Sequence, residues 1–204
     1  MPGERVGFEL VAGLGNPGPD YARTRHNAGF WFVDALAETL GATFTVDRRY
    51  KAAVAQGSVG GRRVHLVKPM DYMNNSGRGL AAVARFYKID PGKVLVAHDE
   101  LDLPPGEIRV KRGGGHGGHN GLRDIVPRLG SSDFWRLRIG IGHPGHKSAV
   151  SGYVLKRADP ISQRATDEAI ELAVRESATL IDGDVNVATK AINGHRPNGH
   201  RPGT

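Results

Sequence analysis

Short apolar runs that each stop at a polar cluster rich in glycine or asparagine constrain this chain more than anything else in it. Phe8 to Leu14 stops at Gly15-Asn16-Pro17-Gly18. Lys93 to Ala97 stops at His98-Asp99-Glu100-Leu101-Asp102. Glu107 to Lys111 leads into Gly113 to Gly121, which carries His116, His119 and Asn120. Runs of this length bounded by turn residues read as strands. Between them lie stripes of helical period: Phe30, Val33, Leu36, Ala37 and Leu40 in 27–40, and Leu80, Val83, Ala84 and Tyr87 in 74–87. Strands alternating with helices predict an α/β fold, a single domain with a mixed, twisted central sheet flanked by helices. Polar groups just past the carboxyl ends of such strands share one cleft, and ligands bind where the strand order reverses.

The rest of the chain fits that frame. Ala52 to Val59 and Arg63 to Lys68 read as a hairpin joined by Gly60-Gly61. Asn27 is placed to cap the first helix and Gly41 to stop it. Asn120 to Leu129 reads as a short helix. Trp135 to Ile141 alternates, with Arg136 and Arg138 opposite Trp135, Leu137, Ile139 and Ile141. The longest helix spans Pro160 to Leu180, with proline in its first turn, and a shorter one follows at Val185 to Ile192. Asn-Gly-His-Arg-Pro then occurs twice, at 193–197 and 198–202. A segment of that composition buries nothing, so a folded domain over 1–192 and a disordered basic tail over 193–204 are expected. At 204 residues one core suffices.

Composition excludes several kinds of chemistry. There is no cysteine, which removes thiolate nucleophiles, thiolate metal sites and disulfides. No apolar run approaches the ~20 residues that span a bilayer, so no membrane association is expected. Met1 to Arg5 lacks the basic-then-apolar order of a signal peptide, and a cytoplasmic location follows. The formal charge is +7. Arg109, Lys111, Arg112, Arg123, Arg128, Arg136 and Arg138 crowd 106–138 against only Glu107, Asp124 and Asp133. A solvated face explains such a run as readily as a ligand does. Its position beside the polar clusters favours phosphate binding.

Gly13-Leu14-Gly15-Asn16-Pro17-Gly18 has the spacing of a dinucleotide-binding turn. That use requires a helix to begin inside the motif. Pro17 and Pro19 bias the residues before them away from helical angles, and the first helical stripe begins near Asn27. The glycines therefore read as a tight turn holding Asn16 in the cleft, and no cofactor is expected.

His26 alone would be a cap or surface residue, and Asp99 alone a turn former. Together they suggest a base and its orienter: a carboxylate on one ring nitrogen fixes the tautomer and leaves the other to take a proton from water. No G-x-S-x-G elbow is present, and Ser76 in Asn-Asn-Ser-Gly suits a turn or cap better than a nucleophile. Water is the simplest nucleophile. His116 and His119 have metal-ligand spacing but sit among glycines, without H-E-x-x-H, and no metal is expected. Asn16, Asn74 and Asn120 stand at turns or helix starts, where capping is the plain explanation. Three amides around one cleft also suit a peptide, since each offers a donor and an acceptor.

Taken in order, Gly13 to Gly18, Thr24 to Gly29, Met73 to Gly77, His98 to Gly106, Lys111 with Gly113 to Leu122, and Arg138 to Gly145 resemble the bacterial-type peptidyl-tRNA hydrolases, over about residues 8–155. The resemblance implies cleavage of the ester joining a peptide to the 3′ ribose of tRNA, by a metal-free monomer of one α/β domain. It implies that His26 is the base and Asp99 its partner. It assigns Asn16, Asn74 and Asn120 to binding the peptide and placing the ester, with Tyr21 and Met73 as neighbours. Lys111 matches a residue that meets tRNA phosphate, and an arginine of the 136–138 strand has a similar task, Arg138 being the candidate and Arg136 the alternative. Two other readings remain at this point: a tRNA- or ribosome-binding protein without catalysis, and a metal-free peptidase or esterase for small substrates.

Overall fold

The computed structural model describes residues 7–197. Seven strands form one sheet: β1 (Leu10–Gly13), β2 (Thr45–Asp47), β3 (Ala52–Val59), β4 (Arg62–Pro69), β5 (Val94–Glu100), β6 (Ile108–Arg112) and β7 (Trp135–Gly140). Their order is β2-β3-β4-β1-β5-β7-β6. The inner strands β4, β1, β5 and β7 are parallel, and antiparallel partners complete both edges. Parallel strands are covered on both faces, which is why 10–13 and 94–97 are continuous apolar runs rather than alternating ones.

Six helices supply the cover: α1 (Ala28–Thr39), α2 (Ser76–Phe86), α3 (Asn120–Leu129), α4 (Val150–Val154), α5 (Pro160–Asp182) and α6 (Val185–Gly194). Helices α1, α5 and α6 bury Phe32, Leu36, Ala173, Leu180 and Ile192 against one face. Helices α2 and α3 bury Leu80, Val83, Leu122 and Ile125 against the other. Two glycines set the depth at which α1 sits. A side chain at Gly13 would stand 2.2 Å from the Gly29 carbonyl, and one at Gly29 would stand 2.3 Å from the Ala97 carbonyl. Only bare backbone permits that approach, and it brings the residues just before α1 up to the ends of β1 and β5. The chain leaves β1 towards β4 and leaves β5 towards β7. The order therefore reverses between β1 and β5.

Some sequence expectations need correction. β5 continues to Glu100 rather than ending at Ala97, so His98 and Asp99 are buried strand residues. The 74–87 helix is in two parts, a 3-10 turn at Met73–Asn75 and then α2. Strand β2 and helix α4 carry no long apolar pattern and are additions to the sequence reading. The arginine face of β7 is not solvated throughout, because Arg136 is only 3% exposed. Helix α6 runs on to Gly194, past the expected boundary at 192. There Asn193 accepts from the Val110 amide at 2.7 Å and donates to its carbonyl at 3.2 Å, which closes part of the β6 edge. The second Asn-Gly-His-Arg-Pro copy lies outside the described residues. No helix among those described is long and apolar enough to cross a membrane.

Candidate active site

At the carboxyl ends of β1 and β5 lies a cavity of about 320 Å³. Asn16, Tyr21, His26, Met73, Asn74, Asp99 and Asn120 all line it, so seven of the nine sequence-derived candidates meet in one place. Lys111 stands exposed on β6, and Arg138 is part-buried on β7. Neither lines the cavity.

Asp99 is the centre of the arrangement. Its Oδ2 lies 2.8 Å from His26 Nδ1, and its Oδ1 lies 2.7 Å from His119 Nε2. The two imidazoles come from opposite layers, His26 from the turn before α1 and His119 from the N-cap of α3. In the sequence His119 stands out only as half of a metal-ligand spacing. The usable signal was its place at the end of a glycine run, directly before a helix and Asn120. Its protonation is dictated locally. The His119 Nδ1 accepts from the Gly121 amide at 3.1 Å and the Leu122 amide at 3.4 Å. A nitrogen that accepts carries no hydrogen, so the proton is on Nε2 and points at Asp99. Asp99, ionised, accepts again from His26 Nδ1–H. That leaves His26 Nε2 as a free lone pair at the cleft.

The electrostatics agree. Burial by itself would raise the Asp99 carboxyl, but His26 and His119 outweigh it and hold it well below the usual carboxylate range. Burial likewise opposes a charge on His26, yet the Asp99 charge and hydrogen bond raise it above the ordinary imidazole value. His98, one residue earlier, differs. Burial, with His119 beside it, pushes it down to about 4. Its Nδ1 donates to the Asp99 carbonyl, and its buried Nε2 has no partner among the described residues. It is a neutral ring that does not line the cavity and meets the His119 ring edge to face at 5.1 Å. His26, Asp99 and His119 place three donor atoms within 4.8 Å. However, the His119 tautomer presents a proton to that centre, where a metal would need a lone pair.

Asn16 is held from two directions. Asn27 accepts from its amide at 2.9 Å and donates to its carbonyl at 3.0 Å, and its own Oδ1 accepts from the Met73 amide at 2.7 Å. Asn27 does not use its side chain to cap α1, contrary to expectation. Asn120 Oδ1 accepts from Arg123. Asn74 is exposed. Tyr21 and Tyr72 meet edge to face at 6.0 Å, and Val150, Ser151 and Val154 of α4, with Leu155 just after it, also line the cavity.

The basic run is less open than its count suggests. Arg109 pairs with Glu107, Arg112 with Asp133, Arg128 with Asp124 and Arg138 with Glu100. Arg138 faces Arg109 across the strands, and Arg136 faces Lys111. Like charges opposite one another repel, and the carboxylates offset this. Arg136 is buried and bonds the Gly114 and Gly115 carbonyls. Lys111 has no carboxylate partner among the described residues.

Fold and cleft together define an α/β protein whose sheet switch point holds an imidazole tethered to a buried carboxylate. Residues 10–200 match the family model for peptidyl-tRNA hydrolase. The peptidyl-tRNA hydrolase of Delftia acidovorans is 50% identical over 195 residues, covering 96% of this chain and 94% of that one. That of Acinetobacter baumannii is 52% identical over 190 residues, covering 93% and 98%. A crystal structure of the Acinetobacter baumannii enzyme superposes with a TM-score of 0.92 at 49% identity, covering 95% of this chain and 98% of that one. The chain belongs to the peptidyl-tRNA hydrolase family.

Proposed function

We propose that this chain hydrolyses the ester between a peptide and the 3′ ribose of tRNA, using a water deprotonated by His26. The observation that carries the reading is the double hydrogen bond on Asp99, because it fixes which nitrogen of His26 is basic. His26 Nε2 takes a proton from water as the oxygen attacks the ester carbonyl carbon. The resulting imidazolium is stabilised by Asp99. When the tetrahedral species collapses, the carbonyl re-forms, the ribose oxygen leaves, and the His26 proton passes to it. The products are a free peptide acid and tRNA. An ester needs no stronger nucleophile than this, and general-base help is worth ~10²–10⁴ in rate.

With its Oδ1 committed to the Met73 amide, Asn16 has its Nδ2 left to meet the developing oxyanion. One such donor is worth ~10²–10³. Asn74, Asn120, Tyr21 and Met73 hold the peptide end. Amides that bond backbone tolerate many peptide sequences. Lys111 and the free guanidinium nitrogens of Arg138 meet tRNA phosphate, which positions the substrate without reading bases. The enzyme acts as a cytoplasmic monomer without a cofactor. Incubation with N-blocked aminoacyl-tRNA should release blocked amino acid and deacylated tRNA. Release from the corresponding blocked amino-acid alkyl ester at an equal rate would point instead to a small-substrate esterase, and binding without release to a tRNA-binding protein.

A further inference from the structure

Five of the six residues from Gly113 to Gly118 are glycine, and Gly113, Gly114, Gly117 and Gly118 all have positive φ. Such a segment has a single side chain of its own to fix its path, His116, whose Nδ1 accepts from the Gly118 amide at 3.0 Å, and glycine forfeits the most freedom when it is fixed. Yet Gly117 and Gly118 line the cavity, and the next two residues are His119 and Asn120. The segment is tied at its start by the Gly113 amide donating to the Phe134 carbonyl at 2.8 Å, and at its end by a turn in which His119 donates to the His116 carbonyl at 2.9 Å. Between these ties the Lys111 ammonium lies against Gly114, and a second side chain from outside bonds the backbone directly. Arg136, from the neighbouring strand β7, donates to the Gly115 carbonyl and, at 2.6 Å, to the Gly114 carbonyl.

Burying that guanidinium is costly. Arg136 as a whole is 3% exposed, and among the described residues its Nε has no partner and no carboxylate bonds it. Arg138 lies beside it, and burial and that neighbour both weaken its hold on its proton. The ring of Phe134, 4.7 Å away, and the charge of Glu100 offset part of this. A methionine or leucine would fill this place in a strand at less cost. A planar fork has one property they lack, the ability to hold two consecutive carbonyls at once.

We propose that Arg136 is a positioning residue for the hydrolytic reaction, its guanidinium holding the glycine-rich wall of the cleft so that His119 and Asn120 face Asp99 and the substrate. The proposal rests on the hydrolytic reading given above. It separates the two arginines of β7: Arg138 keeps nitrogens free for phosphate, whereas Arg136 acts inward on the protein's own backbone.

The test compares Arg136→Met, which keeps length without donors, with Arg136→Lys, which keeps a single charged donor. Amide hydrogen exchange of unliganded protein is read over Gly113 to Gly118, and kcat and KM are measured on N-blocked aminoacyl-tRNA. In Arg136→Met, exchange in the segment should rise by about tenfold or more while β1 and β5 stay protected. The kcat should fall by about 10- to 100-fold, with KM changed by less than about threefold. Arg136→Lys should lie between, and it carries the test if the Met variant does not fold. Unchanged exchange, or a rise in KM alone, overturns the proposal, the latter making Arg136 an RNA contact. An inactive parent protein would sink the hydrolytic reading instead, and the exchange result would still report whether Arg136 holds the wall.

Discussion

Replacing Asp99 by asparagine tests the site at its most constrained atom pair. The carboxylate accepts from both His119 Nε2 and His26 Nδ1, at 2.7 and 2.8 Å. An amide has one oxygen and one NH₂ group, so it cannot accept from both rings. His119 cannot adapt, since the Gly121 and Leu122 amides keep its Nδ1 unprotonated. The oxygen of the substituted side chain must therefore face His119, and its NH₂ must face His26. His26 Nδ1 then becomes an acceptor, and its proton moves to Nε2. The nitrogen that should deprotonate water would carry a hydrogen instead. The loss is the general-base contribution, about 10²–10⁴ in kcat, or about 2.7–5.4 kcal/mol at 1.36 kcal/mol per decade. Asp99→Ala forces no tautomer, so it should retain more activity than Asp99→Asn despite removing more atoms. The assay is release of labelled blocked amino acid from saturating N-blocked aminoacyl-tRNA, with tRNA affinity measured in parallel by fluorescence anisotropy. Affinity should be nearly unchanged. An Asp99→Asn enzyme with kcat within about threefold of the parent, or one more active than Asp99→Ala, would refute the tautomer argument.

Other perturbations reach other parts of the account. The base must be neutral to act, and Asp99 raises the His26 pKa, so kcat should climb with pH through an inflection above 6.5, the ordinary imidazole value. A limb centred below 6.5 would contradict the assigned environment. Gly29→Ala places a carbon 2.3 Å from the Ala97 carbonyl and 2.5 Å from the Leu14 amide. Pushing α1 outward should cost about 1–3 kcal/mol in urea unfolding and lower kcat because His26 precedes that helix; an unchanged midpoint would dispose of the close-approach argument. Lys111→Ala should weaken tRNA binding and reduce the slope of log affinity against log salt by about one unit. Identical slopes for variant and parent would remove Lys111 from the RNA face.

Much of this site could be read from the sequence because its residues are local consequences of strand ends. Asn16 and Asp99 follow apolar runs, and in a parallel sheet all such positions fall on one rim. His26 and Asn120 precede helical stripes that must pack on that sheet. The motif 13–18 was also legible as something other than a nucleotide turn: the prolines defer the helix to Ala28, and Gly13 serves helix docking. What eluded sequence reasoning depends on partners distant in the chain. Nothing local tells that His119 and His26 share one carboxylate, since they lie far apart in the chain and approach from opposite layers. Asn27 looked like a helix cap because the residue type suits one, yet its amide reaches back to Asn16. Arg136 and Arg138 alternate identically in sequence, and only the glycine loop folded over β7 buries one and leaves the other partly exposed. The wall formed by α4 was invisible because so short a helix gives no period to detect. The boundary at 192 failed because Asn193 bonds an edge strand 83 residues earlier.

The central claim is that His26 is the base, and single-turnover cleavage with excess enzyme tests it most directly. His26→Ala should bind N-blocked aminoacyl-tRNA with the affinity of the parent and cleave it about 10²–10⁴ times more slowly. A cleavage rate within about threefold of the parent would mean that some other group activates the water.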